Sequence, residues 1–110
     1  MNGPVRVLVV QDSPGDAKLV RDSLDGLAGG FRVTEAASRA ELAARLDEPV
    51  DVVLGDLDVL GYDGLALIEV VSARCPEVPV IIVTGAGSEE IAAEAFKRGV
   101  ADYLVKAPGH

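Results

Sequence analysis

Residues 51–64 read DVVLGDLDVLGYDG, and this stretch decides the fold. Val52 to Gly55 is a short strand that runs directly into Asp56. Leu57 to Gly64 holds Gly61 and Gly64 and must be a loop. Leu65, Leu67, Ile68 and Val71 then form the apolar face of a helix. Strand, acidic end, glycine-bearing loop and helix make one β-loop-α unit, and the rest of the chain repeats its alternation.

Upstream, Val5 to Val10 (VRVLVV) is a mostly β-branched run whose length favours a buried strand, and it ends in Gln11-Asp12-Ser13-Pro14. Ser13 as N-cap and Pro14 at the first helical position open a helix carrying Ala17, Leu19, Val20, Leu24 and Leu27, which Gly29-Gly30 stops. Phe31 to Ala37 alternates as a half-exposed strand does. Ser38 followed by Glu41 then reads as a capping box for a helix carrying Leu42 and Leu46. Downstream, Val78 to Val83 (VPVIIV) is the fourth strand. Ser88, Glu89 and Glu90 cap a fourth helix through Ile91, Ala95 and Phe96, with the acids where the helix dipole favours them. Gly99 ends that helix, and Ala101 to Val105 is the fifth strand.

Alternating strands and helices with continuous apolar strands predict a parallel sheet, because each right-handed crossover places its helix against a sheet face. The expected fold is α/β: a flavodoxin-like, doubly wound, five-stranded parallel sheet with helices on both faces. The 110 residues, 49% hydrophobic, suit a single domain spanning 1–110 and not two. The sequence stops at Pro108-Gly109-His110 directly after the fifth strand, so the final C-terminal helix is expected to be missing and the chain to be a truncated piece of a longer protein.

Ten Lys/Arg against 18 Asp/Glu give a net charge of −8, which disfavours a phosphate-backbone partner, so no direct nucleic-acid binding is expected. Cys75 alone makes neither an internal disulfide nor a metal–thiolate site. No apolar stretch approaches a membrane span or a signal peptide, and a cytoplasmic location without membrane contact is the simplest expectation.

In an open parallel sheet, ligands bind beyond the carboxyl ends of the strands. Strand one ends at Gln11 and Asp12, strand three at Asp56, strand four at Thr84 and strand five at Lys106. Any one polar strand end is ordinary, but four with complementary chemistry suit phosphoryl transfer to an aspartate. A carboxylate attacks a phosphoryl group competently only if a hard divalent cation on oxygen ligands offsets the repulsion of the two anions. Asp12 and Asp56 can hold Mg²⁺, Lys106 supplies fixed positive charge to a phosphoryl oxygen, and Thr84 supplies a hydroxyl donor.

Taken together, VVQDSPGDAKLVRDSL, DVVLGDLDVLGYDG, VPVIIVTGAG and GVADYLVK resemble, in that order and over nearly the whole chain, the receiver domain of two-component response regulators. The intervals between Asp12, Asp56, Thr84 and Lys106 are also of the family's kind. The resemblance implies that Asp56 is the phosphoacceptor, that Asp12, Asp56 and the backbone carbonyl of Asp58 bind Mg²⁺, and that Thr84 and Lys106 contact the phosphoryl group. It makes Tyr103 the switch aromatic that turns inward when Thr84 moves to the phosphate; the plainer role is a half-buried strand tyrosine packing on the fourth helix. It further implies a sensor histidine kinase or phosphotransfer protein as donor, and an output domain or partner reached through the fourth helix and fifth strand.

The sequence departs from that pattern at several positions. Gln11 replaces one of two adjacent acids, although its carbonyl oxygen can bind the ion directly or through one of its waters, so Mg²⁺ is expected to bind more weakly unless Asp58 restores negative charge nearby. Leu60 stands where the family often has proline, and Ala107 replaces the proline that commonly follows the lysine. The Lys106–Ala107 bond is expected to be trans, because a cis bond before a non-proline residue costs roughly 2.5–4 kcal/mol. Gly85 follows Thr84 in place of a small alanine or serine. Asp63 is expected to cap the third helix, and Asp102 to fix a turn or a surface ion pair.

The leading expectation is a phosphorylation-dependent signalling switch of a phosphorelay, not an enzyme beyond its own phosphoryl transfer and dephosphorylation. The alternatives are a degenerate receiver acting as a constitutive interaction module, for which Gln11 is the evidence, and a haloacid-dehalogenase-like phosphatase, suggested by Asp56-Leu57-Asp58-Val59. Those phosphatases usually carry that motif on their first strand, whereas here it follows the third.

Overall fold

The computed structural model describes residues 5–11, 30–56, 59–61, 65–84 and 89–105. Five strands, β1 (Val5–Val10), β2 (Phe31–Ala36), β3 (Val52–Gly55), β4 (Val80–Thr84) and β5 (Asp102–Val105), form one parallel sheet in the order β2-β1-β3-β4-β5. Three helices, α1 (Arg39–Leu46), α2 (Ala66–Arg74) and α3 (Glu89–Lys97), alternate with them. This is the flavodoxin-like architecture. The helix expected between Ser13 and Gly29 lies outside the described residues.

The period-two alternation of the strands sorts their side chains between two layers. Leu8, Val10, Val53, Val80 and Ile82 point to the face where Leu42 and Leu46 of α1, Leu67, Ile68 and Val71 of α2, and Ala95 of α3 complete the main core. Burying each such leucine or isoleucine stabilises the fold by roughly 1.5–3 kcal/mol, so this layer holds the sheet and its helices in one unit. Val7 and Val9 are buried on the opposite face, packed with Phe31, Val33, Val52 and Leu54.

Local chemistry explains the element ends. The Ser38 hydroxyl accepts the Glu41 amide at 3.1 Å, and the Glu41 carboxylate accepts an amide in return at 2.7 Å. That amide belongs to Ala37, one residue earlier than the reciprocal bond of a capping box would use. The fourth strand begins at Val80, two residues later than expected, and continues through Thr84. Proline has no N–H for a ladder, and Pro79 serves only as an acceptor, its carbonyl taking the Val53 amide at 3.0 Å. Strand β2 ends at Ala36 and β5 starts at Asp102, each one residue inside the expected span. Helix α2 starts after Leu65 with no side-chain cap; Asp63, expected to cap it, lies outside the described residues. The Asp102 carboxylate accepts the neighbouring Tyr103 amide at 2.8 Å.

At the amino ends of the strands, Arg6 and Asp51 tie β1 to the start of β3. The Asp51 carboxylate accepts the Arg6 backbone amide at 2.7 Å and its Nε at 3.2 Å, and the Asp51 amide bonds back to the Arg6 carbonyl at 2.9 Å. The Arg6 donors hold the Asp51 carboxyl below its ordinary range.

Candidate functional site

The chain runs from β1 outward to β2 and then returns across β1 to β3, so the strand order reverses between β1 and β3. A sheet of this kind opens a crevice at the carboxyl ends of those two strands. Val10 is paired with Gly55, and the next residue on each strand is Gln11 and Asp56 respectively. Both therefore stand side by side at the crevice. Gln11 is buried, with its amide bonded to the Ala36 carbonyl at 3.1 Å, and Asp56 is half-buried.

Gly55 is paired with Ile82, which puts the last residue of β4, Thr84, at the same edge and one step beyond Asp56. Thr84 is 1% exposed and is paired with Val105 of β5. Lys106 follows Val105 in sequence. Asp12, Asp58 and Lys106 themselves, with Gly85 and the Lys106–Ala107 bond, lie outside the described residues. Of the expected site residues, the structure thus brings Gln11, Asp56 and Thr84 to one edge.

Gly55, the residue before Asp56, has a packing reason to be glycine. A Cβ on Gly55 would collide with Leu67 Cδ2, so only a bare backbone lets α2 lie this close to β3 where the chain turns out to Asp56. Beyond Asp56 the path is equally constrained. Val59 and Leu60 are buried in a 3₁₀ turn, and Leu60 takes φ 56° and ψ 28°, a left-handed conformation that costs a side-chain-bearing residue roughly 1–2 kcal/mol. Gly61 follows at φ 78°. Proline is held near −65°, so it could not occupy position 60 in this backbone. The Leu60 carbonyl accepts Nε of Arg39, the first residue of α1, at 2.8 Å. Sequence reasoning missed this contact, because an arginine opening a helix has no pattern that distinguishes it from a solvated one.

Tyr103 is paired with Ile82 on β4 and its ring packs against the main core. The ring is half-buried, yet its hydroxyl is buried without a hydrogen-bond partner among the described residues. On α3, Ala95 packs inward while Phe96 is 53% exposed. Leu104 and Val105 of β5 are also exposed.

Among the described residues, Asp56 and Gln11 at the crevice offer oxygen ligands, a carboxylate and an amide carbonyl, a set that suits a hard divalent cation. Cys75 is at the far end of α2, where its thiol donates to the Leu46 carbonyl at 3.4 Å, so a soft thiolate donor is not in reach.

The model of the response regulator receiver domain matches residues 7–109. The chain belongs to that family. Receiver domains are signalling modules of two-component systems, and this one is similar to the transcriptional regulatory protein ZraR of Salmonella typhimurium, 35% identical over 107 residues that cover 96% of this chain and 24% of ZraR. The receiver chain thus spans about a quarter of that relative's length. Among solved structures, the Vibrio cholerae chemotaxis protein CheY4 superposes with a TM-score of 0.81 at 25% identity, covering 97% of this chain and 90% of that one. A Burkholderia pseudomallei response regulator, crystallised with a phosphorylated aspartic acid, a calcium ion and citrate, shares the fold with a TM-score of 0.81 at 24% identity, over 96% of this chain and 61% of that one. Among the described residues, no helix of this receiver is long and apolar enough to cross a membrane.

Proposed function

We propose that this receiver is a phosphorylation-dependent switch whose acceptor is Asp56. The observation that carries the reading is the placement of Asp56 beside Gln11 at the crevice between β1 and β3, with the Thr84 hydroxyl one step along the same edge. An Asp56 carboxylate oxygen attacks phosphorus, the new O–P bond forms as the bond from phosphorus to the donor nitrogen breaks, and the nitrogen leaves with its proton. Asp12, Asp56, the Asp58 backbone carbonyl and the Gln11 carbonyl oxygen hold Mg²⁺, directly or through water in the case of Gln11. When bound, Mg²⁺ offsets the repulsion between carboxylate and phosphoryl oxygens. Lys106 places its ammonium against a phosphoryl oxygen, and Thr84 donates its hydroxyl to another.

The added charge, about −2, draws Thr84 towards the acyl phosphate. Thr84 shares β4 with Ile82, the partner of Tyr103, so its movement changes the packing of the Tyr103 ring between β5 and α3. Phe96, Leu104 and Val105, exposed on those two elements, are the apolar surface through which the change reaches an output domain or partner. The phosphoryl donor is a sensor histidine kinase or a phosphotransfer protein. The domain acts only on its own phosphorylation and dephosphorylation, and it contacts neither nucleic acid nor membrane itself.

The test is intact-protein mass after incubation with Mg²⁺ and phosphoramidate, beside Asp56→Asn. The expected result is a single added HPO₃ on the parent, released by hydroxylamine as an acyl phosphate is, and none on the variant. A second reading, a degenerate receiver that binds constitutively, is favoured by the buried neutral Gln11 in place of an acid. No adduct on folded parent at high Mg²⁺ would establish it instead, and label persisting in Asp56→Asn would move the acceptor elsewhere.

A further inference from the structure

We propose that Arg39 is a positioning residue that fixes the loop leading out of Asp56. The functional half of this inference rests on the phosphoacceptor reading above. Arg39 belongs to a different β-α connection, 21 residues before Leu60, and reaches across to the carbonyl of Leu60 with Nε at 2.8 Å in a partly buried bond. Its Nη2 stands 3.2 Å from where a Cβ on Gly61 would be, so the guanidinium lies along the Leu60–Gly61 backbone itself.

What it grips is an unusual piece of chain. Leu60 and Gly61 are successive left-handed residues at φ 56° and φ 78°, and Leu60 enters that region against its own preference. Such a conformation persists only where its surroundings over-determine it. Here the Leu60 side chain is buried in the main core, and its carbonyl is held by a charged donor. In sequence only residues 57 to 59 separate Asp56 from this turn, and Val59 is buried, so position 58 lies one residue from a fixed segment. The carbonyl of residue 58 is the one assigned to Mg²⁺. Releasing Arg39 therefore loosens the metal side of the site while Asp56 stays on its strand. The Ser38–Glu41 cap, which uses other groups, keeps α1 in place.

The experiment compares the parent, Arg39→Ala and Arg39→Lys by hydrogen exchange, and by the rate of phosphoramidate-dependent mass gain as Mg²⁺ is titrated. In Arg39→Ala the amides of residues 57–61 exchange ~10-fold faster without phosphodonor while β3 and β4 amides keep their protection. The Mg²⁺ concentration for half-maximal phosphorylation rises several-fold, a shift that a purely structural contact would not produce. Arg39→Lys, which keeps a cationic donor, restores part of both. Unchanged exchange in the loop overturns the proposal, as does faster exchange with an unaltered Mg²⁺ dependence. If the parent takes up no phosphoryl group, the phosphoacceptor reading fails, and Arg39 loses its catalytic consequence even where exchange shows that it holds the loop. Protection lost equally throughout the sheet would show a general stability role and also overturn the proposal.

Discussion

Tyr103→Phe should make this domain more stable. The Tyr103 hydroxyl is buried with no hydrogen-bond partner among the described residues, while the ring that carries it packs on the core beside Ile82. Leaving a buried donor unsatisfied costs about 1–3 kcal/mol, and phenylalanine keeps the ring while removing the group that incurs the cost. The lost oxygen forfeits a few dispersion contacts, each worth ~0.1–0.2 kcal/mol. The net gain is therefore near the lower end, about 1 kcal/mol, which for a domain of this size raises Tm by about 4 °C. Urea unfolding should show a higher midpoint at an unchanged m-value, since the surface exposed on unfolding is almost the same. Tyr103→Ala is the control: it also deletes the hydroxyl but removes the ring, and losing about half of a buried aromatic's worth should cost ~2 kcal/mol. A Tyr103→Phe protein less stable than the parent would mean that the hydroxyl is bonded in the folded state, and the reasoning would fall. In a working switch the same substitution should also favour the inward ring before phosphorylation, since the inward position no longer strands a donor.

Three further outcomes follow from the packing around the sheet. Gly55→Ala should cost about 1–3 kcal/mol in urea unfolding, because its Cβ has to displace Leu67, and Gly55→Ala combined with Leu67→Ala should lose less than the sum of the two single changes. Leu60→Pro should destabilise by more than ~1 kcal/mol despite the proline habit of the family at this position, since φ 56° is closed to proline; a melting temperature at or above the parent's would count against the left-handed turn. Asp51 has its pKa lowered by Arg6, so its contribution to stability is present above the ordinary value of 3.8 and is lost as pH falls through the lower folded-state value. Asp51→Asn should accordingly flatten the acid limb of a stability-versus-pH curve below that point and leave its neutral shape alone, and an unchanged acid limb would discount the Arg6 pairing.

Much of the architecture was legible because the strands advertise themselves. VLVV, VVLG and VIIV are apolar on both faces, as strands covered on both sides must be, and Gln11, Asp56 and Thr84 stand where each run stops. The carboxyl-edge rule then placed these residues at one edge without coordinates. What was not legible depends on backbone approach. Pattern treated Val78 as strand because it is apolar, but the neighbouring Pro79 has no amide to give, and pairing starts at Val80. The Asp102 carboxylate meets its neighbour's amide and not a distant cation, a local choice between equally good partners that sequence does not rank.

The same limit explains why the loop after Asp56 was the least readable part of the site. Its glycines announce a turn, but which residue turns left-handed is decided by the partners of its carbonyl and side chain, and both come from elsewhere in the chain. Leu60 carries a large apolar group into a conformation that glycine would enter freely, and Gly61 beside it does so as well. A glycine at position 60 would relieve the backbone but give up the buried side chain that pins the turn to the core. The arrangement therefore exchanges roughly 1–2 kcal/mol of backbone strain for a loop anchored within five residues of Asp56. On the proposed reading, with a metal held partly by backbone, that kind of anchoring is what the site needs, because a carbonyl ligand has no rotamers of its own and is placed only by the path of the chain.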